Sequence, residues 1–441
     1  MLTPLTYSQV FSRAWPIILA NAAVPLLGLV DTAIIGNTGS AQDLGAIALG
    51  ALIFNFVYWS FGFLRMGTTG FIAQAAGARN FLEVRLVLGR ALVVAFALAL
   101  SILLLKGLLG NIIFTLFQAS SPVEAQALQY FTLRVWGAPA TLATFALMGT
   151  LVGLGKSKHI LCVQIVLNGL NALFDIYFAG ILGMGVRGIA LGTIIAEYIT
   201  FIFAAFIVFS VLKKNVSKKE KFWAWKAIID KAALIKMVRA NGDIMIRTIF
   251  LIFAFAWFAN ESAKFGDTIL AANHILLQFV SFSAFFLDGF AFVTESIVGT
   301  AIGAKSLLPF TLGVKRSSIM AAATALCLAL IFLTGGNYFI SLLTDIESVR
   351  ETALQYLLPA CLYILLSAGA FQLDGIFIGA VRTREMRNAA ILSTLFFLFC
   401  SALLTTAYMN NGLWLAFILY VIGRGVTLLV FFPGIRADLI E

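Results

Sequence analysis

The sequence predicts an all-α integral membrane protein with twelve transmembrane helices in two pseudo-symmetric six-helix bundles. Three observations support this fold class: the composition, the length of the apolar segments and an internal repeat. Of the 441 residues, 61% are hydrophobic and only 11% are charged, whereas soluble domains carry roughly 45–50% apolar and about 25% charged residues. The excess apolar surface indicates that the chain uses a lipid bilayer as solvent.

The apolar segments are continuous, which favours helices over a β-barrel. A membrane helix takes about 20 mostly apolar residues, whereas barrel strands show short segments of alternating polarity. Segments such as 91–105 and 201–212 are apolar almost throughout. We predict helices over 11–36, 44–74, 82–106, 124–153, 157–182, 186–212, 233–261, 267–301, 310–334, 350–380, 386–409 and 412–432.

The charges of the loops predict the topology. Loops after even-numbered spans hold basic residues and loops after odd-numbered spans hold mainly acids, and an excess of Lys and Arg marks the cytoplasmic side. We therefore expect a multi-pass plasma membrane protein of the bacterial inner-membrane type with cytoplasmic termini. The predicted parts are an N-terminal lobe (1–212), a basic cytoplasmic linker (213–232) and a C-terminal lobe (233–441). The start lacks a signal-peptide pattern, so we expect the first apolar segment to be retained as a helix.

The two halves of the chain repeat each other. A shift of 226 residues aligns 44–158 with 270–384 without a gap and places Gly149 on Gly375. Each half has an even number of spans, so both enter the bilayer in the same direction, as in transporters with parallel repeats. A cavity between the two lobes is then the expected substrate path.

Several functional classes lack support. The net charge of +10 comes from basic residues between apolar spans, so it indicates topology rather than nucleic-acid binding. The four cysteines are single and both histidines are isolated, so neither a disulfide framework nor a metal site is predicted. Without HExxH, GxSxG or a Cys/His pair, the sequence favours neither an enzyme nor a cofactor. A passive channel is less favoured because pores are usually symmetric, and nothing suggests an obligate oligomer.

Ionisable residues inside membrane spans are costly and therefore informative. Asp31 on helix 1 and Asp175 on helix 5 both lie roughly 25 Å along their helices at 1.5 Å per residue, so they are expected at one depth. Asn168 and Asn171 share the helix face of Asp175, and Thr193 on helix 6 lies at a similar depth. We interpret these residues as an ion-coupling site in the outer part of the first lobe.

Helix 1 has a possible bending point close to its acid. Pro25 and Gly28 precede Asp31 by about two turns and one turn, and proline removes a backbone hydrogen bond. Two alternatives stay open: the acids are merely hydrated at the headgroup boundary, and Pro25 is a packing kink. Glu197 on helix 6 is a further intramembrane acid without an assigned role.

The second lobe carries a different set of charges. Asp288 and Glu295 share a face of helix 8, Asp374 lies on helix 10, and Arg247 and Arg65 lie at a comparable level. Acids near a buried cation lower the desolvation cost of the whole group. We predict a charged network in the inner half of this lobe that contacts substrate or controls gating.

A simpler alternative exists for the second lobe. Asp243 and Arg247 would form an interfacial i, i+4 pair, and Glu295 would extend to water. Under the 226-residue shift, however, Trp257 is aligned with Asp31, and Met148 is aligned with Asp374. Because symmetric packing does not need this difference in ionisable residues, we attribute it to function.

Six sequence segments resemble one transporter family: VPLLGLVDTAIIG (24–36), FLRMGTTGFIAQAAGARN (63–80), IAEYIT (195–200), NGDIMIR (241–247), LDGFAFVTES (287–296) and LDGIFIGAVRTREMRN (373–388). The chain is similar over its whole length to the multidrug and toxic compound extrusion (MATE) family, and within it to the DinF-like branch. The resemblance implies a V-shaped pair of six-helix bundles that exports organic, often cationic, compounds in exchange for H⁺ or Na⁺.

The resemblance also implies roles for single residues. It places the branch's first-lobe site at Asp31, Asp175, Asn171 and Thr193, and it links protonation of the acid to bending of helix 1. Asp374 matches a second-lobe acid of another branch. Position 27 departs from the pattern, because it is Leu where some relatives have tyrosine.

These observations predict a secondary active transporter that works by alternating access. A proton is a feasible coupling ion because close paired acids raise each other's proton affinity, and the same oxygens with Asn171 and Thr193 suit sodium. The expected substrates are small lipophilic or cationic organic compounds that enter from the cytoplasm or the lipid. The alternative is a flippase for a lipid-linked or amphipathic substrate, which a cationic groove would favour.

Overall fold

The structure is a computed structural model that describes residues 3–38, 40–116, 121–214, 221–437 and 439. This part of the chain contains helices and no strand. The helices are α1 (Tyr7–Ala22), α2 (Val24–Thr38), α3 (Ala41–Ser60), α4 (Phe63–Gly77), α5 (Phe81–Leu116), α6 (Ser121–Arg134), α7 (Ala138–Gly153), α8 (Ser157–Asp175), α9 (Gly185–Lys213), α10 (Trp225–Ile228), α11 (Lys231–Ala263), α12 (Asp267–Gly303), α13 (Leu307–Ser341), α14 (Glu347–Gln355), α15 (Leu357–Ala380) and α16 (Thr383–Ala437).

Ten helical segments of the described chain are long and apolar enough to cross a membrane. The 55-residue α16 is counted once among them, although its backbone leaves the helical region at Met409, where φ is 50°. This kink lies between the two predicted helices 386–409 and 412–432. The first predicted helix corresponds to α1 and α2, which are 16 and 15 residues long and therefore short of a span when taken singly. The structure thus confirms an all-α, multi-pass fold.

The backbone repeats with the shift that the sequence predicts. Four non-glycine residues of the described chain have a positive φ, and two of them, Arg79 and Lys305, are 226 residues apart. Val381 likewise corresponds to Gly155, whose φ is also positive. Because left-handed backbone is unfavourable for residues with a side chain, its return at matched positions shows that the helix ends in the two halves are built alike.

Close helix contacts repeat in the same way. A Cβ atom at Gly153 would lie 2.8 Å from the carbonyl oxygen of Thr69, and one at Gly379 would lie 2.5 Å from that of Glu295. These distances are too short for a carbon atom, so both positions need glycine to let the helices approach. The matched pairs are separated by the same 226 residues. The two halves therefore use one packing scheme, which confirms the pseudo-symmetric repeat.

The contacts divide the chain into two compact units. We call residues 19–76 and 80–241 the N-terminal lobe, and we call the described residues of 1–18, 77–79 and 242–441 the C-terminal lobe. The start of the chain joins the C-terminal lobe because Arg316 Nη1 donates to Leu5 O at 2.5 Å and the Arg316 guanidinium lies over the ring of Tyr7. The boundaries at 212 and 233 stay a prediction.

The described part of the basic linker packs on the N-terminal lobe. Arg90 Nη2 on α5 donates to Ala227 O of α10 at 3.0 Å, and Ile228 is fully buried. Lys218 and Lys219 of the predicted linker lie outside the described residues. The short α10 therefore belongs to the N-terminal lobe and precedes the first long helix of the second half.

Candidate ion-coupling site

Two aspartates from different helices meet inside the N-terminal lobe. Asp31 on α2 and Asp175, the last residue of α8, lie within hydrogen-bonding reach of each other. Asp175 is fully buried, whereas Asp31 is half-buried. The structure thus brings together the two acids that the sequence placed at one depth. A hydrogen bond between two carboxyl groups needs a proton on one of them.

A second pair of polar residues completes the site. Asn171 Nδ2 on α8 donates to Thr193 Oγ1 on α9 at 2.8 Å, and the threonine hydroxyl donates onward to Ile189 O at 2.8 Å. Asn171 is fully buried, and Thr193 is 6% exposed. With the amide nitrogen engaged, Asn171 Oδ1 is left as an acceptor.

The site is rich in acceptors that receive no donor. Within the described part of the chain, no N–H or O–H group donates to Asp31 Oδ1, Asn171 Oδ1 or either carboxylate oxygen of Asp175, and all four atoms are buried. Buried polar atoms are almost always hydrogen-bonded, because leaving one bare is costly. These four oxygens therefore make the site a candidate for binding a proton or another cation.

The local backbone is adapted to hold Asp175. The six residues after it, Ile176–Ile181, form a π-helical turn, a feature that is frequent at functional sites. On the facing helix α9, a Cβ atom at Gly192 would collide with Asp175 Oδ1. Gly192 therefore leaves the space that the carboxylate occupies. The sequence analysis missed both features, since neither has a pattern that stands out in an apolar helix.

The predicted polar face of α8 also reaches the break in the first helix. The helix is interrupted at Ala23, between α1 and α2, and Asn168 Nδ2 donates to Ala23 O at 3.2 Å. Pro25 lies in the first turn of α2, where a missing N–H group is tolerated. Asn168 thus holds the interruption, and its place in the ion-coupling site stays a prediction. The side chain of Leu27, the position that departs from the family pattern, lies outside the described residues.

A buried ion pair gives Glu197 a partner. Arg134, the last residue of α6, donates to Glu197 through two nitrogens at 2.8 and 2.6 Å, and Arg134 Nη1 lies 3.3 Å from Tyr58 Oη. The guanidinium also lies over the rings of Phe54 and Tyr58. Arg134 acts electrostatically on both Asp31 and Asp175. Arg134 lies within the predicted span 124–153. The cost of an ionisable residue inside a span, which drew attention to Glu197, applied equally to Arg134, but the sequence analysis did not name it.

The second lobe gathers a different set of charges. Asp374 on α15 accepts hydrogen bonds from Arg247 on α11 and from Arg424 on α16, the latter at 2.7 Å. All three residues are buried. The sequence analysis named Asp374 and Arg247 but missed Arg424, which lies within the predicted span 412–432. The structure therefore brings Asp374 and Arg247, two of the residues predicted for the charged network, into direct contact.

The simpler alternative for this lobe is not what the structure shows. Asp243 pairs with Arg387 at 2.7 Å and accepts from Thr383 at 3.0 Å, while Arg247 pairs with Asp374. Glu295 is 1% exposed, so it does not extend to water. Arg65, Asp288 and Glu295 all have interaction partners, and their membership of the charged network stays a prediction.

The fold and the sites define a class of protein. A helical membrane protein built from two parallel repeats, with two acids that meet in one repeat and two arginines on one acid in the other, has the architecture of a secondary transporter.

Comparison with known proteins identifies the family. The MatE family model matches residues 16–177 and 244–403, one segment in each half of the chain. The DNA damage-inducible protein F of Escherichia coli (strain K12) is 34% identical over 420 residues, which cover 94% of this chain and 89% of that protein. The chain therefore belongs to the MatE family, and its resemblance to the DinF-like branch is confirmed.

More distant relatives and a solved structure are consistent with this family assignment. The probable multidrug resistance protein NorM of Acinetobacter baylyi is 26% identical over 82% of this chain and 80% of its own length. A crystal structure of a mutant of the Vibrio cholerae MATE transporter VcmN superposes with a TM-score of 0.87 at 18% identity and covers 99% of this chain and 98% of that one. The family consists of multi-pass membrane transporters, and several relatives are named for multidrug resistance.

Proposed function

We propose that this protein is an antiporter that exports small lipophilic or cationic organic compounds and is driven by a proton bound between Asp31 and Asp175. The observation that supports it best is the pair of acids inside the lobe: three of their oxygens, together with Asn171 Oδ1, are buried and receive no donor. The relatives named for multidrug resistance support efflux as the direction of transport. The two termini are proposed to be cytoplasmic and the transporter to act as a monomer in the plasma membrane.

A proton acts as a switch in this geometry. When one carboxyl group is protonated, it donates to the other and joins α2 to α8. When both are ionised, they repel, and two unit charges about 4 Å apart interact by roughly 4 kcal/mol at an effective dielectric constant near 20. A free energy of this size shifts a two-state equilibrium by several hundredfold, which is most of the roughly 5.5 kcal/mol needed to take it from 1:99 to 99:1.

The first helix is the element that responds. Asp31 lies on α2, which the interruption at Ala23 separates from α1. Ala23 is the non-helical residue that joins α1 to α2. Asn168 donates a hydrogen bond to its carbonyl oxygen. A change in the distance between Asp31 and Asp175 then bends the chain at Ala23, close to the predicted hinge residues Pro25 and Gly28.

Transport in proteoliposomes tests this proposal. The protein is reconstituted and the movement of ethidium is followed under an imposed proton gradient, an imposed sodium gradient, or neither. We expect the proton gradient to drive accumulation and both Asp31→Asn and Asp175→Asn to abolish it. Glu83→Gln is a matched control, since Glu83 is an acid of the same lobe that pairs with Arg90 instead.

Two outcomes contradict the proposal. Full gradient-driven transport by the correctly inserted Asp31→Asn and Asp175→Asn variants would remove the two acids from coupling. A response to the sodium gradient alone would assign the same four oxygens to sodium in place of the proton.

A second candidate function concerns the substrate. The buried arginine pair of the C-terminal lobe favours a substrate with an anionic group, such as a lipid-linked or amphipathic molecule, as in the flippase alternative. The same liposomes test it when ethidium is replaced by a fluorescent lipid with a phosphate head group. Gradient-dependent transfer of this lipid between leaflets is the expected result for the second candidate and is not expected for the first.

A further inference from the structure

We propose that the C-terminal lobe contains a binding site for the carboxylate or phosphate group of an amphipathic organic anion, formed by Arg247 and Arg424. The inference deepens the second candidate of the proposed function and rests on it for its place in transport. It concerns equilibrium binding inside one lobe, so it does not depend on which ion drives the protein.

The charges at this place do not balance. Arg247 Nη2 and Arg424 Nη2 both donate to the same oxygen, Asp374 Oδ2. Asp374 is the acid that both guanidinium groups contact, and the neighbouring hydroxyls of Tyr420 and Tyr363 are neutral when protonated. Two guanidinium groups and one carboxylate leave a formal excess of one positive charge.

This excess charge is enclosed. The exposed fractions of the side chains are 10% for Arg247, 8% for Arg424 and 11% for Asp374. An unpaired charge inside a membrane protein is costly, and such charges usually face a partner or a functional cavity. An anion that enters the site supplies the missing partner.

The two arginines keep donors free for that anion. A guanidinium group has five N–H donors, and within the described residues each arginine uses only Nη2 for a hydrogen bond. None of their other nitrogens is both fully enclosed and without a partner. The nitrogens that form no hydrogen bond therefore have accessible surface. Planar guanidinium groups bind carboxylate and phosphate through pairs of parallel hydrogen bonds.

Buried aromatic side chains pack beside the arginines. The ring of Tyr363 stacks on Phe417 at 4.4 Å, and Phe417 is stacked in turn on Tyr420 at 6.0 Å. The Arg424 guanidinium lies 5.8 Å from the centre of the Tyr420 ring. The arginines therefore lie against the apolar core of a membrane-spanning lobe, which an amphipathic molecule reaches more readily than a small inorganic anion does.

The same geometry disfavours a cation at Asp374. A cation that binds this carboxylate has to lie beside two guanidinium groups, and like charges at close range repel. The match of Asp374 to a second-lobe acid of another branch of the family thus does not carry over as a cation site here. The acid instead holds the two arginines together.

Binding of matched probes tests the inference. The full-length protein in phosphatidylcholine nanodiscs is titrated calorimetrically with octyl phosphate, octanoate and octyltrimethylammonium, which share a tail and differ in charge. We expect the two anions to bind at least tenfold more tightly than the cation. Arg424→Gln is expected to weaken the anions at least tenfold, because a hydrogen bond to a charged group contributes about 1.5–3 kcal/mol. Arg387→Gln removes a cation elsewhere in the same lobe, at the Asp243 pair, and should leave binding unchanged.

The Asp374→Asn variant separates an anion site from a purely structural cluster. If the cluster is an anion site, removing the carboxylate removes the competitor, and octyl phosphate binds more tightly and raises the unfolding temperature more than in the parent protein. If the cluster is only structural, the variant is destabilised and octyl phosphate does not restore the loss.

A lipid arm identifies the source of the anion. After purification, phosphatidylglycerol retained by the parent protein and by Arg424→Gln is compared by native mass spectrometry. If the parent protein retains phosphatidylglycerol and Arg424→Gln does not, the site binds anionic lipid. If both proteins retain the same amount and the parent binds octyl phosphate tightly, the site binds a free amphipathic anion.

Equal affinity for octyl phosphate and octyltrimethylammonium, or unchanged anion binding in Arg424→Gln, overturns the inference. Either result leaves gradient-driven export untouched. Conversely, loss of coupling in the transport assay does not change the interpretation of octyl phosphate binding.

Discussion

The two lobes share a packing scheme but differ in the polarity of their buried sites. At the Asp31–Asp175 site of the N-terminal lobe, four buried oxygens lack a donor. In the C-terminal lobe, two arginines share one carboxylate and keep spare donors. The first site is therefore short of positive charge and the second has an excess of it. The difference shows that the repeat provides a scaffold on which each half carries its own chemistry.

The matched positions make this contrast sharper. Under the 226-residue shift, Asp31 corresponds to Trp257 and Asp175 corresponds to Ser401. In the C-terminal lobe, Trp257 Nε1 donates to Ser401 Oγ at 3.3 Å. The repeat thus preserves a contact between the two positions even though a neutral pair replaces the acidic pair. This is the meeting point of two helices in both halves, and in the N-terminal lobe it carries the proposed cation site.

The largest effect is expected when the N-terminal contact is made neutral. Asp175→Ser introduces the residue that the other half carries at the same position and should reduce gradient-driven transport to the level of protein-free liposomes. Ser401→Ala, which changes the matched position in the C-terminal lobe, should retain it. Coupled transport by Asp175→Ser would contradict the distinction between the lobes.

The next effect concerns the buried Arg134–Glu197 pair. Arg134→Gln leaves Glu197 buried without its cation, and breaking a buried ion pair costs about 3–5 kcal/mol. We expect a large drop in the unfolding temperature of the detergent-solubilised protein. The double variant Arg134→Leu with Glu197→Leu should recover much of it. A single variant that is as stable as the parent would mean that the pair is not enclosed.

A smaller effect is expected from Gly192→Ala. The added Cβ atom collides with Asp175 Oδ1, and overpacking of this kind costs about 1–3 kcal/mol. Coupled transport should fall while membrane insertion is maintained. Gly169→Ala on α8 is the control, since a Cβ atom there has no neighbour within 4 Å. Equal transport rates for the two variants would show that Asp175 has room to move aside.

The smallest effect is expected from Asn168→Ala. The change removes the hydrogen bond to Ala23 O, worth about 1 kcal/mol. We expect a moderate change in transport rate and no loss of proton dependence, since Asn168 forms hydrogen bonds with Ala23 and Gln164 rather than with either acid. Asn171→Ala serves for comparison and should alter the proton dependence itself. The opposite order of effects would exchange the roles of the two asparagines.

The sequence predicted much of this architecture because its signals are local. Long apolar segments, glycines in matched register and loop cations identify the helices and the repeat without any tertiary contact. The meeting of Asp31 and Asp175 was predictable because an intramembrane acid is conspicuous and helix depth follows from a fixed rise per residue.

Other features needed the structure because they depend on which helices touch. Arg134 and Arg424 are as conspicuous as Asp374, but their partners lie 63 and 50 residues away in the chain. Gly192 matters only through the carboxylate that it faces, and the π-helical turn after Asp175 has no compositional signal. The interruption of the first helix was expected near Pro25, and its link to Asn168 was not.

Proton release on substrate binding tests the central claim most directly. The purified protein is mixed with the transported compound in unbuffered solution that contains a pH indicator. We predict that binding releases protons from the parent protein and from Asp374→Asn, and that Asp31→Asn and Asp175→Asn release none. Release that persists in Asp175→Asn but is lost in Asp374→Asn would place the coupling ion in the other lobe and contradict the account.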